Sequence, residues 1–351
     1  MARHLKRRRL GRTKVELTEL GLGTAPFGEP FVRLEDDGVA AAIERAWTSG
    51  IRYFDTSPFY GHGKSELRVG RGLGGRDRDA FVLSTKVGRL LRRPADPTML
   101  EPGFFLGGLP FEVRFDYSYD GIMRSVEDSY QRLGMNRIDL LLIHDLDTWF
   151  HPTNGRLKAY RAQLLTSGAH ALNELRSSGV ISAVGAGINE CGMIPWFVEN
   201  VDLDFFLVAL RYSLLEQETL DVELPLCAER GIGIVIGGVF NSGILATGAR
   251  EGAMYNYEPA GREILEHVSK LEAVCRSHGV NLHAAALQFP LAHPLVASVI
   301  PGAHSAAHIE QIVAGIDQPI PETFWLELKE RGLIRPDAPV PDQHSQDQDG
   351  P

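Results

Sequence analysis

The feature that most constrains this chain is an alternation. Short apolar runs are followed, one after another, by longer stretches with helical spacing, from near the start to beyond residue 300. The runs are Leu20–Gly23, Arg52–Phe54, Ala80–Ser84, Ile138–Ile143, Ile181–Gly185, Phe205–Val208, Ile232–Ile236 and Val296–Ile300. Continuous apolar runs are what parallel strands buried on both faces require. The clearest helical stretches are Asp37–Ser49, Ser65–Leu73, Tyr119–Leu133, Arg161–Ser178, Glu218–Arg230 and Glu263–His278. Gly50, Gly134, Gly179, Gly231 and Gly279 each follow such a stretch, where a helix C-terminus favours glycine. Repeated strand–helix units of this kind predict an α/β fold, a single-domain (β/α)8 barrel with long loops on its C-terminal face. No linker divides the chain, so the barrel is expected over residues 1–334. Residues 335–351 are polar and rich in Pro, Asp and Gln, which predicts a disordered tail.

Charge and cysteine usage narrow the class. The net charge of −9 gives no support for nucleic-acid binding. Arg3, Lys6, Arg7, Arg8 and Arg9 form a local basic run, read as a solvated arm because no apolar segment follows it. No stretch approaches the ~18 apolar residues of a membrane span. Cys191, Cys227 and Cys275 are far apart and form no C-x-x-C pair, so reduced thiols, a cytoplasmic location and no metal are expected.

Three successive runs end in an ionisable residue: Asp55, Lys86 and His144. Tyr60 follows the first of them in the segment Thr56-Ser-Pro-Phe-Tyr-Gly. Polar residues at the C-terminal ends of barrel strands read as catalytic. The chemistry is coherent. A phenol is a poor base at neutral pH. A lysine ammonium beside Tyr60 is expected to lower its pKa, with Asp55 holding Lys86 in place. His144 is expected to hydrogen-bond a substrate oxygen while Tyr60 moves the proton.

Phe54-Asp-Thr-Ser-Pro-Phe-Tyr-Gly, Gly63-Lys-Ser-Glu, Leu83-Ser-Thr-Lys and Asp139-Leu-Leu-Leu-Ile-His resemble the motifs of the aldo-keto reductase superfamily. The likeness runs from about Leu10 to about Gly315. Phe115-Asp-Tyr-Ser-Tyr-Asp-Gly, His144-Asp-Leu-Asp and Ile236-Gly-Gly-Val-Phe-Asn-Ser-Gly resemble the family's aldose 1-dehydrogenase and pyridoxal 4-dehydrogenase branch. The resemblance implies a nicotinamide-dependent oxidoreductase with the tetrad Asp55, Tyr60, Lys86 and His144. It also implies a small-molecule substrate: an aldose oxidised at C1 to a lactone, or alternatively pyridoxal. Asp145, Asp147 and His151 are expected to meet substrate hydroxyls, and Trp149 and Phe150 to pack on a ring face.

For the cofactor, the resemblance implies Gly23, Thr24 and Asp55 near the nicotinamide ribose and Tyr212 stacked on the nicotinamide. It implies Phe240, Asn241, Ser242 and Gly243 at the pyrophosphate, and Gly302, His304 and His308 at the adenosine end. Asn189 is expected to hold the carboxamide. Gly187 stands where the family often has Ser, and Ala209 where it often has Gln. No Lys or Arg lies between Pro301 and Gln318, which predicts NAD over NADP, with NADP still admitted.

Two other classes fit less well. Tyr60-Gly-His-Gly-Lys64 has the Y-x-x-x-K spacing of short-chain dehydrogenases, but two glycines within it oppose the helix that pair needs. A non-enzymatic, cofactor-sensing channel subunit would keep the same tetrad; turnover separates the two.

Overall fold

Each expected apolar run forms a strand of one parallel, eight-stranded sheet. In chain order the strands are β1 (Leu22–Gly23), β2 (Tyr53–Asp55), β3 (Val82–Val87), β4 (Leu140–His144), β5 (Ala183–Ile188), β6 (Phe205–Ala209), β7 (Gly233–Gly237) and β8 (Val296–Ile300). The computed structural model describes residues 5–96 and 104–342. Neighbours in sequence are neighbours in the sheet. The ring closes where Gly23 bridges Gly302 and Leu20 bridges Val299. There Gly21 N–H donates to the Val299 carbonyl at 2.9 Å. The protein is therefore a single-domain (β/α)8 barrel.

Side-chain alternation along each strand separates two apolar layers. Tyr53, Leu140, Leu142, Phe205, Leu207 and Val235 fill the barrel interior. Phe54, Leu83, Leu141, Ile143, Phe206 and Ile234 face the surrounding helices. The bottom is plugged by an antiparallel hairpin, Arg7–Arg9 with Glu16–Thr18, whose Leu10 and Leu17 are fully buried against the interior layer. Arg7–Arg9 were expected in a solvated arm. Instead their backbone is paired, and Arg8 donates to the Leu291 carbonyl at 2.6 Å. Burying Leu10 and Leu17, each worth about 1.5–3 kcal/mol, holds that hairpin down.

The helices differ from expectation in two places. Glu218–Arg230 breaks into a 3-10 turn, Glu218–Leu220, and a helix, Glu223–Arg230. Pro225 explains the break, since it fits a first helical turn but not a helix interior. Arg161–Ser178 is the later part of a longer run that starts at Asn154 and passes through a π turn at Leu164–Gly168. A side chain on Gly168 would lie 2.0 Å from the Tyr117 carbonyl oxygen, so the close approach needs glycine.

On the C-terminal face, Arg89–Arg92 pairs with Glu112–Phe115 in a second hairpin. Gly88 turns the chain from β3 into it with φ 99°, and its missing Cβ makes room for the Tyr117 ring. Leu106 N–H donates to the Glu29 carbonyl and Leu109 N–H to that of Gly61. Residues 104–109 thus dock on the loops after β1 and β2. Residues 97–103 of this segment lie outside the described residues. The tail expected from residue 335 starts as packed chain. Arg335 pairs with Asp221 at 2.5 Å and Ala338 is buried, because Ala338 and Val340 give this stretch apolar groups to bury. Residues 343–351 lie outside the described residues.

Candidate active site

Strand register assembles the four residues expected to be catalytic. Asp55 pairs with Ser84 across β2 and β3, Lys86 with Leu142 across β3 and β4, and His144 with Gly187 across β4 and β5. Alternation turns Asp55, Lys86 and His144 into the mouth. Lys86 Nζ donates to Asp55 Oδ2 at 2.7 Å and to the Thr56 carbonyl at 2.9 Å. Ser84 Oγ donates to the other carboxylate oxygen at 2.7 Å. Both charged groups are buried, so each depends on the other. The loop after β2 carries Tyr60 over this pair, with the Lys86 ammonium 4.7 Å from the ring centre. His144 stands edge-on to the same ring, centroids 6.0 Å apart. Its Nδ1 lies 3.1 Å from Ser57 Oγ, and the Tyr117 hydroxyl donates to its carbonyl at 2.7 Å. The four expected residues are therefore together.

Their electrostatics differ from the sequence expectation at one point. Burial, followed by the charges of Asp55 and Asp145, pushes the Tyr60 phenol well above its ordinary pKa. The expected net lowering by Lys86 is absent, because the ammonium faces the ring while its hydrogen bonds go elsewhere. Burial, with Arg89 and Lys86 nearby, pushes His144 well below the ordinary histidine value, so its imidazole is neutral.

Half of the mouth is polar and half is bare. On the rest of the rim, the inward positions at the strand ends are Gly23 and Gly187, beside Asp55 and His144 in register, and Ala209 and Gly237 farther round. A Cβ on Gly187 would meet nothing closer than 3.9 Å. The result is a shallow cradle in which a flat ring could lie beside Tyr60. Thr24 is buried, with its hydroxyl on the Asp55 carbonyl at 2.8 Å, and so shapes the cradle floor.

Several other expected site residues are placed differently. Tyr212 is fully buried, its ring against Phe289 and His293, and presents no face to a ligand. Leu210, two residues earlier, has φ 69°, and this turn sends Tyr212 outward into the helix layer. Asn241 is also buried and donates to the Leu210 carbonyl at 3.0 Å, bracing that turn. Its Oδ1 has no partner among the described residues. Phe240 packs against the core, Ser242 Oγ accepts from Tyr257 N–H at 2.9 Å, and Gly243 stays open. Asn189 reaches the mouth, but its amide donates to Asp145 at 2.7 Å and to Asp147 at 3.4 Å.

Gly302 is exposed beside Gly23, and His304 stacks edge-on against His308 at 4.2 Å. Ser305 caps the helix Ala306–Asp317 by accepting from His308 N–H at 3.2 Å. Asp145, Asp147 and His151 are buried and engaged with Arg89, Asn189 and Tyr117, so hydroxyl contacts from them are not available. Trp149 is 37% exposed at the mouth, and Phe150 sits inside against Phe59.

Sequence reasoning named Trp149 but missed the aromatic wall it belongs to. Phe31, Phe104, Tyr257 and Trp149 come from four separate loops and touch in series at 5.8, 5.6 and 6.3 Å. Four exposed aromatics in contact form a patch that suits a ligand. It also missed Arg89, a buried cation among the aromatics. Its only sequence signal was its place between Gly88 and two leucines.

The profile of the aldo/keto reductase family matches residues 19–331. This chain belongs to that family. It is 43% identical over 343 residues to pyridoxal 4-dehydrogenase of Microbacterium luteolum, covering 94% of this chain and 99% of that one. It is 40% identical over 321 residues to D-threo-aldose 1-dehydrogenase of a Pseudomonas species, covering 90% and 94%. Among solved structures it resembles aldo-keto reductase AKR11C1 from Bacillus halodurans in its holo form. The TM-score is 0.73, the identity 25%, and the coverage 97% of this chain and 99% of that one. The protein is an NAD(P)-dependent oxidoreductase enzyme. The cradle fits the nicotinamide cofactor such an enzyme uses, since bare glycine and alanine positions sit beside a proton-carrying phenol. No helix among the described residues is long and apolar enough to cross a membrane.

Proposed function

We propose that this aldo/keto reductase oxidises the hemiacetal carbon of a cyclic substrate to a lactone. The leading substrate is an aldose of the L-fucose or D-threo type, oxidised at C1. The observation that carries the reading is the pairing of Tyr60, over buried Lys86 and Asp55, with glycine and alanine at the remaining strand ends of the rim. The bound cofactor, held by Gly23, Gly187, Ala209 and Gly237 with Gly302 and the Ser305-capped helix at its far end, would supply the hydride acceptor. Tyr60 takes the proton of the hemiacetal hydroxyl. Neutral His144 orients that oxygen. Lys86 and Asp55 hold the Tyr60 loop floor through the Thr56 carbonyl. The Phe31–Phe104–Tyr257–Trp149 wall excludes water from one side.

A second reading is pyridoxal, whose hemiacetal form gives the same kind of product. The aromatic wall favours it, as does the engagement of Asp145 and Asp147 away from sugar hydroxyls. NADH formation, followed by its absorbance, with L-fucose, D-arabinose, other aldoses and pyridoxal tests both. Turnover of an aldose well above that of pyridoxal supports the first reading, and the reverse order the second. Absence of turnover with every hemiacetal defeats the proposal.

We further infer that NAD is preferred. The segment from Pro301 to the helix Ala306–Asp317 offers no Lys or Arg, and Arg45, which reaches that helix, is paired with Glu310 at 2.7 Å.

A further inference from the structure

Arg89 lies just beyond Lys86, with its side chain 1% exposed. A guanidinium keeps its charge inside a protein, so burial at this depth requires compensation. Asp145 supplies a carboxylate in direct contact with Nη2. Phe59, Phe150 and Phe115 supply ring faces at 3.9, 4.3 and 5.0 Å. Among the described residues Nε has no acceptor, and the group is held by this pair and these rings. Two of the partners lead directly to reacting groups. Asp145 follows His144 in the chain and sets Oδ2 3.1 Å from His144 Nε2. Phe59 immediately precedes Tyr60. Asp145 has φ 47°, a strained conformation for a residue with a side chain, and it is tied on one oxygen by Arg89 and on the other by Asn189.

We propose that Arg89 is a positioning residue for the reaction. Through Asp145 it aligns His144, through Phe59 it steadies the Tyr60 loop, and its charge cancels that of Asp145 beside the His144 ring. This rests on the reading of Tyr60 and His144 as the reacting pair.

The charged and titratable groups facing His144 are Tyr60 from the β2 loop, Lys86 with Asp55 below, Arg89 from the hairpin, Asp145 from its own loop, and Tyr117 on its carbonyl. With the ion pair intact, the imidazole stays neutral. Without the Arg89 charge, burial raises Asp145 further, and the Asp145–His144 pair, 3.1 Å apart, takes up a proton that the intact ion pair excludes.

The test is the pH profile of kcat/KM with NAD⁺ and the best substrate of the panel, for the wild type, R89M, R89K, D145N, R89M/D145N and H144A. R89M is expected to acquire an acidic limb near neutral pH, falling about tenfold per pH unit. R89M/D145N should lose that limb. R89K, which keeps the charge but not the planar stack, should keep the wild-type profile shape with kcat lower by about 10–100-fold and KM little changed. D145N should also lower kcat and show no acidic limb, so the proposal stands or falls on D145N and R89K if R89M does not fold. A uniform loss at every pH in R89M, a limb that persists in R89M/D145N, or wild-type kcat in D145N or R89K overturns it. Full kcat/KM in H144A would instead overturn the reading of the site beneath it.

Discussion

Lys86 presents its ammonium to the face of the Tyr60 ring, 4.7 Å from the ring centre, while its hydrogen bonds go to Asp55 and the Thr56 carbonyl. The lysine thus fixes where the phenol stands, and burial decides when the phenol ionises.

Tyr60→Phe removes the group that moves the proton and leaves the cradle intact. Turnover should fall by about 10²–10⁴-fold, the usual share of general acid–base catalysis. NAD⁺ affinity, read by fluorescence titration, should be nearly unchanged. A variant keeping more than about half of kcat would remove Tyr60 from this role.

The direction of the reaction should set its pH dependence. Burial raises the Tyr60 pKa, so the protonated phenol persists through neutral pH. Oxidation needs the ionised form, and its kcat should climb as pH rises toward the alkaline side. Reduction needs the protonated form and should hold its rate at neutral pH, then decline as the phenol ionises. Initial rates in both directions across the same buffers check this; parallel profiles would contradict it.

The buried Lys86–Asp55 pair separates stability from chemistry. Lys86→Met or Asp55→Asn alone strands an unpartnered group and should cost about 3–5 kcal/mol in urea unfolding. The double variant should recover much of that stability and none of the activity. If each single variant unfolds like the wild type, the pair is not the buried, mutually dependent unit seen here.

Gly187 tests the cradle. A Cβ there meets only the Ile143 carbonyl and Lys86 Cε, both at 3.9 Å, so Gly187→Ala should fold with a midpoint near that of the wild type. The added side chain rises where the nicotinamide is expected, so Kd for NAD⁺ should increase by about tenfold or more. Unchanged affinity would place the cofactor elsewhere.

Cofactor choice should weaken only as the adenosine-end histidine gains charge. Burial, with His308 nearby, keeps His304 below the ordinary histidine pKa, so it gains that charge at a lower pH than a free imidazole. The ratio of kcat/KM for NAD⁺ over NADP⁺ should exceed one at about pH 7.5 and narrow as the pH falls. A clear NADP⁺ preference at the higher pH would mean that another cation holds the 2′-phosphate.

The barrel and the tetrad were legible in the sequence because both follow from local periodicity. Apolar runs such as Leu140–Ile143 define buried strands, and a polar residue at the end of such a run, His144, Lys86 or Asp55, has only the barrel mouth to face. Tertiary structure decided the rest. Tyr212 follows β6 as an aromatic either layer could accept, and a left-handed turn at Leu210, braced by Asn241 from the next loop, placed it in the core. Asp145 looked available to a substrate until Arg89 and Asn189, distant in sequence, took up its oxygens. Arg89 gains its role from Phe59, Phe115 and Phe150, brought around it by three separate segments. A strand sets its side chains by a period of two, which sequence displays directly; a loop residue's partner is set by chain closure over long separations, which local pattern does not encode.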